Sequence, residues 1–170
     1  MASLIDNLIT TLQQENDEYQ LLLKLSMEKT GIIVAGKPDE LSIMVEKEQE
    51  VIDRIVALEK KRTETTADIA VVLSKDPATL TLPVLTEILS GQKKESAALK
   101  AVHDKLKDTM SQMVKVNEHN KVLLQESIEM VQFEMNLIQS MKQGPSNANY
   151  SGMDYADNSY GSRASFDAKQ

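Results

Sequence analysis

The chain has 170 residues, 41% hydrophobic and 26% charged, with a formal net charge of −7; it suits one domain with its own core and excludes a surface of clustered Lys and Arg that tracks nucleic-acid phosphates. It contains no Cys, which excludes a disulfide framework and thiolate metal sites and agrees with a reducing compartment. Aromatics at 4%, with no Trp, leave the core to Leu, Ile, Val and nine Met, a composition that favours helices.

The opening segment, Met1-Ala2-Ser3-Leu4-Ile5-Asp6, lacks the basic flank and apolar run of a signal peptide. No stretch of about 18 apolar residues follows, so a cytoplasmic protein without membrane insertion is expected. Ser3 is placed to cap a first helix in which Ile5, Leu8, Leu12, Tyr19, Leu22, Leu23 and Met27 recur at threes and fours to about Ile33. Gly36-Lys37-Pro38-Asp39 then reads as a reversal, and so short a connection favours an antiparallel neighbour.

The second helix carries Leu41, Met44, Val45, Val51, Ile52, Ile55 and Leu58 on one side. Glu46-Lys47-Glu48, Glu50 and Lys60-Lys61-Arg62 fall on the other, the last three read as a solvated helix face. Its period weakens through Thr63-Glu64-Thr65-Thr66 and recovers at Ile69, Val72 and Leu73. Asp76-Pro77 and two β-branched Thr predict a loop from Ser74 to Pro83. A short third helix is expected from Pro83 to Ser90, with Thr81 as its cap and Gly91 either as its terminator or as a kink. From Gln92 to Lys142 nothing breaks the helix, which implies a rod of about 75 Å.

The expected fold is all-α: an elongated antiparallel helical bundle or coiled coil of three long helices plus one short helix over residues 1–142. Residues 143–170 are rich in Ser, Asn, Gly and Asp, so a disordered tail is expected there. Tyr150, Tyr155, Tyr160 and Phe166 within it are candidate docking elements, chance spacing being the plainer alternative.

Along the last helix, Leu106, Met110, Met113, Asn117, Asn120, Leu124, Ile128, Val131, Met135 and Ile138 stay within about 40° of one line at 100° per residue. This is the seam expected to face the bundle. Asn117 and Asn120 interrupt it, either to set register between helices or to accept a partner's backbone. A second line collects Val116, Leu123, Met130, Phe133, Leu137 and Met141. Left in water, each of these large side chains would forgo about 1.5–3 kcal/mol of burial, so the line predicts an interaction surface. The short third helix, a second copy of the chain in a homodimer, or a client helix could cover it.

No catalytic, metal or cofactor site is expected. His103 and His119 stand about 24 Å apart on a straight helix, and neither belongs to a ligand motif. No Glu-x-x-His, glycine-rich phosphate loop or nucleophile elbow occurs.

The segment Val116-Asn117-Glu118-His119-Asn120-Lys121-Val122-Leu123-Leu124-Gln125-Glu126-Ser127-Ile128-Glu129-Met130-Val131-Gln132-Phe133 resembles the late helix of FlgN-type flagellar export chaperones. There, spaced Asn residues precede a Leu-Leu pair and an aliphatic and aromatic run. Glu46-Lys47-Glu48-Gln49-Glu50 is similar to that family's acidic Lys-Glu stretch, and the helix order agrees over about residues 3 to 142. The resemblance implies binding of the C-terminal helices of hook-associated (hook–filament junction) proteins and their delivery to the flagellar type III export apparatus. It maps Asn117, Asn120, Leu124, Ile128 and Val131 onto the family's motif, while the second stripe adds Leu123, Met130, Phe133, Leu137 and Met141 as partner-facing positions. The alternative is a structural coiled-coil adaptor that self-associates through the last helix.

Overall fold

The computed structural model describes residues 2–143; the tail beyond them, with Tyr150, Tyr155, Tyr160 and Phe166, lies outside the described residues. These fold as α1 (Ala2–Ala35), α2 (Pro38–Leu73), α3 (Leu82–Ile88) and α4 (Lys93–Lys142), with 3-10 turns at Pro77–Thr79 and Leu89–Gly91 and no strand among them. The chain divides into two compact units, Met1–Phe133 and Glu134–Gln170, and the helix packing described below belongs to the first.

The turn between α1 and α2 follows from three residues. Gly36 adopts φ +65°, its amide donates to the Ile33 carbonyl at 3.1 Å, and the Lys37 amide reaches back to Ile32 at 3.4 Å. That pair of bonds is the Schellman closure, in which a left-handed residue satisfies carbonyls that the helix end leaves free. Pro38 then starts α2, where a missing amide proton costs nothing. The end of α2 repeats the device with Ser74 at φ 51°, whose amide donates to Val71 while Lys75 donates to Ala70. Asp76 opens the following turn by accepting from the Ala78 amide at 2.9 Å. Thr81 precedes α3 as expected, but its side chain makes no capping bond.

Side-chain pairs give the directions of the helices. Glu18 meets Arg54, Tyr19 meets Glu59 and Ser26 meets Glu48, so α1 and α2 run antiparallel. Asn16 meets Thr109 and Thr30 meets Asn120, so α4 runs parallel to α1 and antiparallel to α2. The main core lies at the end where α3 folds over the bundle, with Ile5, Leu8, Leu12, Ile69, Leu85, Leu99 and Val102 buried together. Leu22, Leu23, Val51, Ile55 and Met113 form a smaller second cluster nearer the α1–α2 turn.

Polar layers alternate with these clusters. Thr109 donates to Asn16 at 3.1 Å, both buried. Beside them Glu15, 1% exposed, faces Arg62 at 3.3 Å, while its Oε2 has no hydrogen-bond partner among the described residues. Burial pushes the Glu15 carboxyl up from its ordinary value; Arg62 offsets part of this and Glu59 adds to it. Tyr19, desolvated and donating to Glu59 at 3.0 Å, has its hydroxyl pushed up to about 12. Arg62, read from sequence as part of a solvated face, and Glu48, on the same charged side of the second helix, are therefore paired with charges on α1. Periodicity assigns charges outward and does not register a partner of opposite sign on the neighbouring helix.

Candidate partner-binding surface

Approaching the α1–α2 turn, the interior becomes polar and then opens. Ser26 donates to Glu48 Oε1 at 2.8 Å, Lys29 donates to Glu48 Oε2 at 2.7 Å, and Asn120 Nδ2 donates to the Ser26 carbonyl at 2.8 Å. The Thr30 hydroxyl donates to Asn120 Oδ1. These groups close the last buried layer, and Asn120 is the last buried residue of α4, at 2% exposure.

The buried line of α4 is Leu99, Val102, Leu106, Thr109, Met113 and Asn120, spaced at threes, fours and one seven. It shares Leu106, Met113 and Asn120 with the seam expected from sequence and departs from it elsewhere. Met110 and Asn117 are exposed, and Leu124 is half-buried. Ile128, expected against the bundle, is 57% exposed, and Val131 is exposed as well. The physical reason is length: α1 bonds to α4 at sequence separations of 90 to 94, so Ala35, its last residue, comes level with about residues 125–129. Beyond that level no α1 residue remains to cover α4.

Of the positions expected to meet a partner, Leu124, Ile128 and Val131 line one groove of about 390 Å³ with Ile32, Ile33, Pro38 and Leu41 from the α1–α2 turn. Leu123 is half-buried, whereas Met130 and Phe133 are exposed at 62% and 66%. Leu137 and Met141, in the second unit, are exposed, as are Met135 and Ile138. Asn117 is exposed; Asn120 is not, and its amide is spent inside the chain.

Sequence reasoning missed the contribution of α1 and α2 to this groove. The available signal was Ile32-Ile33 immediately before Gly36, since adjacent helix positions point 100° apart and one core face takes only one of them. Ile33 is buried and Ile32 half-buried, and both border the groove. No helix of the described residues is long and apolar enough to cross a membrane.

The family model described as "FlgN protein" matches residues 1–153. The chain is 29% identical over 120 residues to "Uncharacterized protein YvyG" of Bacillus subtilis (strain 168), covering 71% of each protein. No solved structure matches.

Proposed function

The chain belongs to the FlgN family of flagellar export chaperones, and from that premise we propose that it binds the C-terminal helices of hook-associated (hook–filament junction) proteins and delivers them to the flagellar type III export apparatus. The family is one of chaperones and not of enzymes, so the chemistry required is recognition. The observation that carries the reading is the row of large aliphatic side chains on α4 past Asn120 that the chain's own helices leave exposed.

In this reading Leu124, Ile128 and Val131 take the apolar face of a client helix against Ile32 and Leu41. Leu123, Met130, Phe133, Leu137 and Met141 are further contact positions. Asn117 offers an exposed amide earlier on α4, and Asn120 serves by holding α4 in place. Helix-in-groove binding needs anchors three or four residues apart, and Leu124, Ile128 and Val131 stand at that spacing. Met130 adds an adaptable side chain suited to more than one client sequence. A chaperone that hands over clients before export works in the cytoplasm, which is where we place this one.

The test is calorimetric titration of the full chain with a peptide spanning the C-terminal helix of a hook–filament junction protein from the same organism. Binding by the wild-type chain, and its loss in Ile128→Asp with helicity unchanged, is expected. A stable dimer by light scattering that buries α4 and binds no peptide would instead favour the self-associating adaptor.

A further inference from the structure

A second groove shares the Leu124–Ile128 ridge with the apolar one, and its polar groups are unevenly placed. Lys29, Asn117 and Lys121 stand at its inner end, and Glu129 stands toward its outer end. Lys29 is committed to the buried Glu48 at 2.7 Å, so that pair brings little net charge. Lys121 is exposed and has no salt-bridge partner among the described residues. Asn117 is exposed one turn before it, on the same side of α4. The inner end therefore presents unspent hydrogen-bond donors beside an apolar ridge.

A helix leaves its last four carbonyls without internal partners and carries about half a negative charge at that end. We infer that the client helix seated on this shared ridge runs antiparallel to α4, with its C-terminal turn over Asn117 and Lys121 and a basic residue over Glu129. Lys121 and Glu129 are eight residues apart, about 12 Å along α4, which places the basic residue about two turns before the end of the bound helix. On a chain of net charge −7, a donor-rich end admits an acidic or carboxylate-terminated helix that the wider electrostatic field disfavours. The apolar ridge supplies affinity, and the charges supply direction. This rests on the chaperone reading above and adds the chemistry and orientation of the client helix.

The absence of Cys lets one introduced Cys carry a single probe. A paramagnetic label on exposed Lys115→Cys is read against a fluorine-labelled client peptide, the C-terminal helix of a hook–filament junction protein from the same organism. The peptide is labelled either in its last turn or about four turns earlier. Stronger broadening of the last-turn label is expected, and stronger broadening of the upstream label would overturn the orientation. In parallel, Lys121→Glu should weaken the peptide by about fivefold, and replacing the acids of the peptide's last turn with Lys should restore it. An unchanged affinity would also overturn the inference. If the wild-type chain binds no such peptide, the chaperone reading falls with it; binding in the reverse direction removes this inference alone.

Discussion

Asn120 Nδ2 donates to the main-chain carbonyl of Ser26 at 2.8 Å, joining α4 to α1 where both residues are sealed from water. Ser26 passes the connection to α2 through its hydroxyl on Glu48, so one amide on α4 is linked to both other long helices. Removing it takes away the one side chain that bonds both the Ser26 carbonyl and the half-buried Thr30 hydroxyl across to α4, and opens a small void. Asn120→Ala should cost about 1–3 kcal/mol in urea unfolding, while Asn117→Ala, on the exposed side, should stay within about 0.5 kcal/mol.

The two ends of α4 should respond oppositely to mutation. Leu99 is fully buried among α1, α2 and α3, so Leu99→Ala should lose about 2–5 kcal/mol. Ile128→Asp and Phe133→Asp lie on exposed positions and should leave the melting temperature of the free chain nearly unchanged. Leu124→Asp should fall between them, since Leu124 is half-buried beside Ile33 and Leu41. Thermal unfolding followed by circular dichroism measures all four.

Two helix ends use the same left-handed geometry with different residues. Ser74 holds φ 51° with a Cβ, whereas Gly36 holds φ +65° without one. Ser74→Gly should therefore stabilise the chain by several tenths of a kcal/mol up to about 1 kcal/mol, and Gly36→Ala should destabilise it by about 1 kcal/mol. Gly31 lies inside α1 with nothing within 4 Å of a Cβ placed there, so Gly31→Ala should gain about 0.5–1 kcal/mol. Urea titration of the three variants compares them directly.

Glu15 makes stability depend on pH with a definite sign. Its folded carboxyl is raised above the ordinary value of 4.5, so between the two values the folded chain holds a proton that the unfolded chain has lost. This group's contribution is most favourable below about pH 4.5 and declines as pH rises through its folded value. Glu15→Gln removes the decline. The stability difference between variant and wild type should move in favour of Gln as pH increases from 4 to 8, and a constant difference would show that Glu15 ionises as it does in the unfolded chain.

Most of the helix plan was legible in the sequence because its punctuation is strong. Gly36 and Pro38 reverse the chain, Asp76-Pro77 starts the loop, and nothing between Lys93 and Lys142 interrupts α4. The face that α4 buries was less legible. Its true line takes in Thr109, a polar residue satisfied by Asn16, and ends at Asn120, whereas periodicity takes Met110 in place of Thr109 and carries the line on through Ile128 and Val131. Which of two apolar lines is covered depends on where the neighbouring helices end, and that is set by Gly36 and Pro38, some ninety residues away in sequence. The same turn supplied Ile32 and Leu41 to the groove, contributions invisible when each helix is read alone. Glu15 and Glu48 were hidden for a related reason, since a carboxylate is recognised as interior only once its Arg62 or Lys29 is in place.

Past Asn120, α4 carries aliphatic surface that its own bundle leaves exposed, and in the proposed function a partner helix covers it. Hydrogen exchange along α4, with and without the hook–filament junction peptide, reads whether that surface is free. Slow exchange over residues 99–120 in both states, with fast exchange over 123–133 that slows when peptide is added, is the predicted result. Protection of 123–133 in the isolated monomer, or fast exchange there that saturating bound peptide leaves unchanged, would contradict it.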